Sequence, residues 1–197
     1  MVTGGDGLLR GGLSRRRLLA LAGAGLAGSS AVALAGCGDD TKNPTVRTAP
    51  DESDTADVEL LNTMLDLELM SIAAYKTGAG ELRGSRLQIV KGFLEQEQEH
   101  ADTLTSAIRD LAGVPNGPKD SYDFRALTSQ SDVMRFAVGF ENNIIAAYID
   151  VLPKLSQGEI RSTISAILTT EAEHVAVLLG ALERPQVPAA FVVGQAA

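Results

Sequence analysis

"LEQEQEHADTL" (94–104) and "LTTEAEHVAVL" (168–178) contain the only two histidines of the chain, His100 and His174, and each closes a Glu-x-Glu-His segment inside an apolar-periodic run. Glu97 and His100 stand three residues apart, as do Glu171 and His174, so on a helix each pair shares one face. A single Glu-x-x-His carries little weight, and its meaning depends on what surrounds it.

The surroundings repeat. With the histidines aligned, 74 residues apart, "EQEHADTL" (97–104) falls on "EAEHVAVL" (171–178), and upstream, at an offset of 73, "LELMSIAAY" (67–75) falls on "FENNIIAAY" (140–148). The two halves read as copies of one helical hairpin. The repeat pairs Glu68 with Glu141, Tyr75 with Tyr148, Glu97 with Glu171 and His100 with His174. Tyr75 and Tyr148 follow Glu68 and Glu141 by seven residues and so lie on the same helix faces.

Apolar residues at three- and four-residue intervals predict helices over about 57–77, 85–111, 131–152 and 158–183, and nothing reads as a sustained strand. Gly78 and Gly80 end the first, "AGVPNGP" (112–118) the second, Pro153 the third and "RPQVP" (184–188) the fourth. The short connections, 78–84 and 153–157, make antiparallel hairpins. The connection between them, roughly 17 residues at up to about 3.3 Å each, can run the length of a helix of about 27 residues at about 1.5 Å each. The expected fold is all-α: a four-helix bundle of two helical hairpins joined by a long crossover.

Each glutamate of the first kind sits in an apolar stripe. Leu61, Met64, Leu65, Ile72 and Tyr75 share helical spacing with Glu68; Met134, Ala137, Val138, Ile144, Ile145 and Tyr148 share it with Glu141. Both therefore face the core, at the depth of Glu97, His100, Glu171 and His174. Unpaired buried carboxylates and imidazoles would cost several kcal/mol apiece, so four acids and two histidines in one core call for cations. Two divalent metals balance four carboxylates charge for charge.

One Glu from each of two helices with a Glu-x-x-His from each of the other two resembles the ligand pattern of the ferritin-like di-iron and di-manganese carboxylate proteins, over about residues 57–183. The resemblance implies two iron ions, with two manganese ions as the alternative. It implies that Glu97 and Glu171 bridge them, that Glu68 and Glu141 are terminal ligands, and that His100 and His174 give one nitrogen each. It makes Tyr75 and Tyr148 candidates to hydrogen-bond ligand carboxylates of neighbouring helices, although core aromatics with satisfied hydroxyls explain them almost as well. The implied chemistry is ferrous oxidation or the consumption of O₂ or peroxide. A non-catalytic, stress-associated envelope protein and a manganese catalase are the alternatives, and a homodimer is an open oligomeric state. The cysteine-ligated iron domain of rubrerythrin-like peroxidases has no counterpart, because the chain has one cysteine.

The N-terminal stretch belongs to a different vocabulary. "LSRRRLLALAGAGLAGSSAVALAGC" (13–37) has a basic patch, an uncharged Leu/Ala/Gly run and a small-residue end. Ser14-Arg15-Arg16 with the following leucines resembles a twin-arginine export signal, and Leu34-Ala35-Gly36-Cys37 resembles a bacterial lipobox. The expected organisation is a signal peptide over 1–36, a lipidated flexible tether over 37–56, the ferritin-like domain over 57–184 and a C-terminal tail over 185–197. Cys37 would anchor the exported protein to the outer face of the cytoplasmic membrane.

The whole chain carries 17 basic and 25 acidic residues; without residues 1–36 it carries 13 and 24, a net charge near −11. A surface so acidic excludes charge-driven binding to nucleic acid. Glu95, Glu99 and Glu173 are expected on the surface, Met64, Met70 and Met134 in the core, and Gly92, Gly139 and Gly180 at close helix contacts or at nothing in particular.

Overall fold

The computed structural model describes residues 52–195. The expected export signal, Cys37 and residues 37–51 of the expected tether lie outside the described residues. Four helices, α1 (Glu52–Ala79), α2 (Gly84–Asp110), α3 (Gln130–Val151) and α4 (Gly158–Ala181), form the domain, with a 3₁₀ turn at Leu152–Lys154 and, among the described residues, no strand.

α1 packs along α2 and α3 along α4; across the bundle α1 meets α3 and α2 meets α4. Contacts at the helix ends fix the directions. Asp57, near the start of α1, accepts hydrogen bonds from Ser156 N and Oγ, just beyond α3, at 2.9 and 2.7 Å. At the opposite end of the bundle, Gly78 of α1 meets Val133 of α3, and a Cβ on Gly78 would lie 2.8 Å from Val133 Cγ1. Arg86 of α2 donates to Ala181 O of α4 at 3.0 Å. Every packed pair is therefore antiparallel.

α2 ends beside the start of α1 and α3 begins beside its end, so the chain must cross the length of the bundle, and residues 111–129 do so along the outside of α1. Asn62 Nδ2 donates to Val114 O at 3.1 Å, Asn62 Oδ1 accepts from Asn116 N at 2.7 Å, and Asn116 Nδ2 reaches both carboxylate oxygens of Asp66 at 3.1 Å. The crossover arrives beside Gly78, where Leu127 lies. Ser129 then caps α3 by accepting from Asp132 N, while Asp132 Oδ2 accepts from Thr128 N, a reciprocal closure of the first turn.

α1 starts five residues ahead of the expected boundary, so the expected tether loses Glu52 to Ala56. The reason is tertiary: Gln157 Nε2 donates to Asp54 at 2.7 Å and the Asp57 side chain is buried against Ser156, so the first turns are held by the α3–α4 connection. Acids in that turn also suit a helix N-terminus.

The tail packs back. Gly194 lies so close to α3 that a Cβ there would stand 2.3 Å from Ala146 N, and Gly180 leaves room for Gln186. The tail thus lies over the outer side of the second hairpin, and an apolar pocket lined by Ala172, Val175 and Ala176 of α4 and by Val187, Phe191 and Val192 of the tail remains between them. α4 is long and apolar enough to cross a membrane by length and hydropathy. Gly92 and Gly139 touch nothing, Met64 and Met134 are core residues, and Met70 is half-buried.

α2 and α4 end in the same way, in left-handed residues that are not glycine: Ala112 (φ 59°) and Glu183 (φ 58°). In each case the next N–H closes back onto the helix, Gly113 N to Ile108 O at 2.8 Å and Arg184 N to Leu179 O at 2.9 Å. A Cβ in this region is strained where glycine is not. Ala112→Gly is expected to raise stability by about 0.5–1 kcal/mol, read as a higher urea midpoint with unchanged slope.

Candidate metal centre

The core is split. One apolar cluster, around Leu61, Met64, Leu104, Ile108, Ile144 and Ile164, fills the end where α1 begins; a second, around Leu82, Val90, Met134, Val138 and Leu178, fills the other. Between them lies a layer of six ionisable side chains, Glu68 from α1, Glu97 and His100 from α2, Glu141 from α3, and Glu171 and His174 from α4. All four carboxylates are fully buried, His174 is 1% exposed and His100 is 8% exposed.

The six fall into two overlapping sets. Glu68, Glu97, His100 and Glu171 each bring one ligand atom within 4.8 Å of the others, and so do Glu97, Glu141, Glu171 and His174. Glu97 and Glu171 belong to both, and their oxygens divide between the histidines. His100 Nδ1 lies 2.8 Å from Glu171 Oε1 and 3.9 Å from Glu97 Oε2; His174 Nδ1 lies 3.2 Å from Glu171 Oε2 and 3.2 Å from Glu97 Oε1. Glu68 stands on the His100 side at 3.6 Å and Glu141 on the His174 side at 3.8 Å.

Proximity here is not pairing. Both Nδ1 atoms, both oxygens of Glu97 and of Glu171, and Oε2 of Glu68 and Glu141 are buried without an aligned hydrogen-bond partner, although some lie within ion-pair distance. Side chains that approach closely without lining up donor to acceptor are arranged around a common third body. The donor set, oxygen with one imidazole nitrogen per position, suits Fe(II) or Mn(II). The residues fit two such ions.

Two of the carboxylates are tied down. Tyr75 of α1 donates to Glu141 Oε1 on α3, and Tyr148 of α3 donates to Glu68 Oε1 on α1, so each hairpin holds the other's terminal carboxylate. Both phenols are buried and kept protonated, first by desolvation and then by the facing carboxylates. His174 is held on its far side as well: Nε2 lies 2.8 Å from Gln96 Oε1, and Phe93 stacks on the ring at a centroid distance of 4.0 Å. Glu95, Glu99 and Glu173 face solvent.

Two contributors, and one buried hydroxyl close to Glu68 in sequence, were not legible in the sequence. Gln96 and Phe93 precede Glu97 by one and four residues and look like an ordinary surface amide and core aromatic. Ser71, three residues after Glu68, is fully buried with an unpartnered Oγ. Reading the repeat for its differences would have marked all three, because their counterparts are Thr170, Ile167 and Ile144.

The family model for the ferritin-like domain matches residues 56–184, and the chain belongs to that family. Among solved structures, a conserved hypothetical protein of Mycobacterium tuberculosis is similar at 20% identity and a TM-score of 0.61, covering 64% of this chain and 97% of its own. A ferritin-like diiron-carboxylate protein of Bacillus anthracis is similar at 21% identity and a TM-score of 0.59, covering 67% of this chain and 99% of its own. No curated protein matches the chain. What the fold and the site define is a ferritin-like bundle with a buried Glu/His cluster that could hold metal.

Without metal, protons occupy this cluster. Burial raises Glu97 to about 11 and Glu141 to about 8. Burial opposes charge on the histidines, but the facing carboxylates outweigh it and raise His100 to about 9 and His174 to about 12. Burial also works to raise Glu171, yet His100 and His174 outweigh it and bring that carboxyl down to about 2. The folded metal-free chain therefore keeps protons that the unfolded chain releases, from Glu97 and Glu141 above the ordinary carboxylate range and from His100 and His174 above about 6.5. Stability should fall as pH rises through this window, so the metal-free protein is expected to melt lower at pH 8.5 than at pH 6. The opposite loss, from Glu171, is confined to acid as pH falls from about 4.5 towards 2. Metal bound here would displace the protons, so any rise in melting temperature on adding Fe(II) anaerobically should be larger at pH 8.5 than at pH 6.

Proposed function

We propose that this chain is an exported, membrane-tethered ferritin-like protein whose two metal positions, filled by iron or by manganese, carry out oxidative chemistry on small oxidants. The observation that carries the reading is the sharing of Glu97 and Glu171 between two sets of converging ligand atoms. Four carboxylates offset the charge of two divalent ions in a core that would otherwise reject it.

Two adjacent redox metals supply two electrons, the number that takes O₂ to peroxide or peroxide to water. The protein's part is to hold the ligands. Glu97 and Glu171 present one oxygen to each side, His100 and His174 each present Nδ1, and Tyr75 and Tyr148 hold Glu141 and Glu68 by hydrogen bonds. The apolar layers above and below keep bulk water from the pair. His100, slightly exposed, lies on the side where a small solute can approach. Ferroxidase activity, or reduction of peroxide, is the reaction that such an arrangement suits best. The twin-arginine motif and the Leu34–Cys37 segment support the placing of this activity outside the cytoplasm on a lipid anchor, because that route exports folded proteins and lets metal be loaded under cellular control.

Two measurements test the proposal. Metal analysis of the exported protein, purified without chelator, should give about two irons or manganeses per chain, and His100→Ala with His174→Ala should lose most of them. No stoichiometric metal after anaerobic Fe(II) loading would reduce the site to an inherited fold feature and leave a structural or binding role. Separately, Cys37→Ser should move the protein from the membrane fraction to the soluble envelope fraction; a variant that stays with the membrane would refute the anchor.

A further inference from the structure

The two halves of the centre repeat each other on the inside and differ at the edge. An imidazole that gives Nδ1 to a metal must carry its proton on Nε2, and that N–H needs an acceptor to hold the ring in the ligating tautomer and orientation. For His174 the acceptor is present: Gln96 Oε1, 2.8 Å from Nε2. Phe93 lies nearly flat against the same ring, at 28°, and blocks its rotation. His100 has neither support. In the repeat, Thr170 takes the place of Gln96, and its hydroxyl is turned onto Ala166 O of its own helix at 3.4 Å. Among the described residues none accepts a hydrogen bond from His100 Nε2, and the ring is 8% exposed against 1% for His174.

Resting on the dinuclear reading above, we propose that the two metal positions are unequal by construction. Gln96 is a positioning residue that makes the His174 position, with Glu97, Glu141 and Glu171, the one that fills first and retains its metal. The His100 position, with Glu68, Glu97 and Glu171, is the one that exchanges, at the edge nearest solvent. The repeat supplies equal ligands, and the difference comes from what stands behind each histidine.

The test is an anaerobic Co(II) titration of the metal-free full-length protein, followed by the visible ligand-field bands and by calorimetry. The parent should bind in two steps, the first at least about tenfold tighter than the second. His100→Ala should keep the tight step and His174→Ala should abolish it. Gln96→Leu should weaken the tight step by about ten- to a hundredfold, shift its ligand-field bands and leave the weaker step within about threefold. Gln96→Glu, which keeps an acceptor oxygen, should restore the two-step curve, and circular dichroism of both metal-free Gln96 variants should show the parent's helix content. A parent that fills both positions with one affinity, a Gln96→Leu variant that weakens both steps alike, or a Gln96→Glu variant that behaves like Gln96→Leu would overturn the assignment. A parent that binds no Co(II) or Fe(II) at all would remove the metal centre itself, an outcome distinct from the loss of asymmetry.

Discussion

Four glutamates without solvent in the centre of a helical bundle are the constraint on which the rest of this protein depends. Each would be costly alone, and together they would repel. They are held by what crosses between the hairpins: Tyr75 on Glu141, Tyr148 on Glu68, and two histidines between the shared carboxylates Glu97 and Glu171. The apolar clusters at either end then act as walls. Their leucines, isoleucines and methionines supply the burial that drives folding, and the polar layer uses part of that stabilisation to hold its shape.

The helices and the site were legible in the sequence for the same reason. A repeat of a hairpin puts like residues at like depths, so Glu68 and Glu141 in apolar stripes, with Glu97, His100, Glu171 and His174 opposite, already describe one layer. Helix ends were legible where glycine or proline marks them, and less so where tertiary contacts decide. The start of α1 is the example: the acids of "ESDTA" suit a first turn but lie in no apolar period, and Ser156 and Gln157, about a hundred residues away, hold it in place. The tail was equally silent. Its packing depends on Gly194 lying against Ala146, a contact that no periodicity encodes.

Least legible was the difference between the two halves. Repeats draw attention to what is the same, and Gln96 against Thr170 or Phe93 against Ile167 are ordinary substitutions until the fold shows that each stands behind a histidine. Duplication with divergence at the rim would give a pair of metal positions a simple way to become unequal while their ligands stay constant.

Each ligand set draws on both hairpins: Glu68, Glu97 and His100 come from the first and need Glu171 from the second, while Glu141, Glu171 and His174 come from the second and need Glu97 from the first. No single hairpin can hold a complete position. A bound ion would therefore also be a rivet between two halves that the chain links otherwise through packing, a few hydrogen bonds between hairpins and one long strap. For an ion at the enclosed His174 position, loss and parting of the hairpins would become a single kinetic event, so its lifetime would be set by the opening of the bundle and not by the breaking of any one bond to the metal.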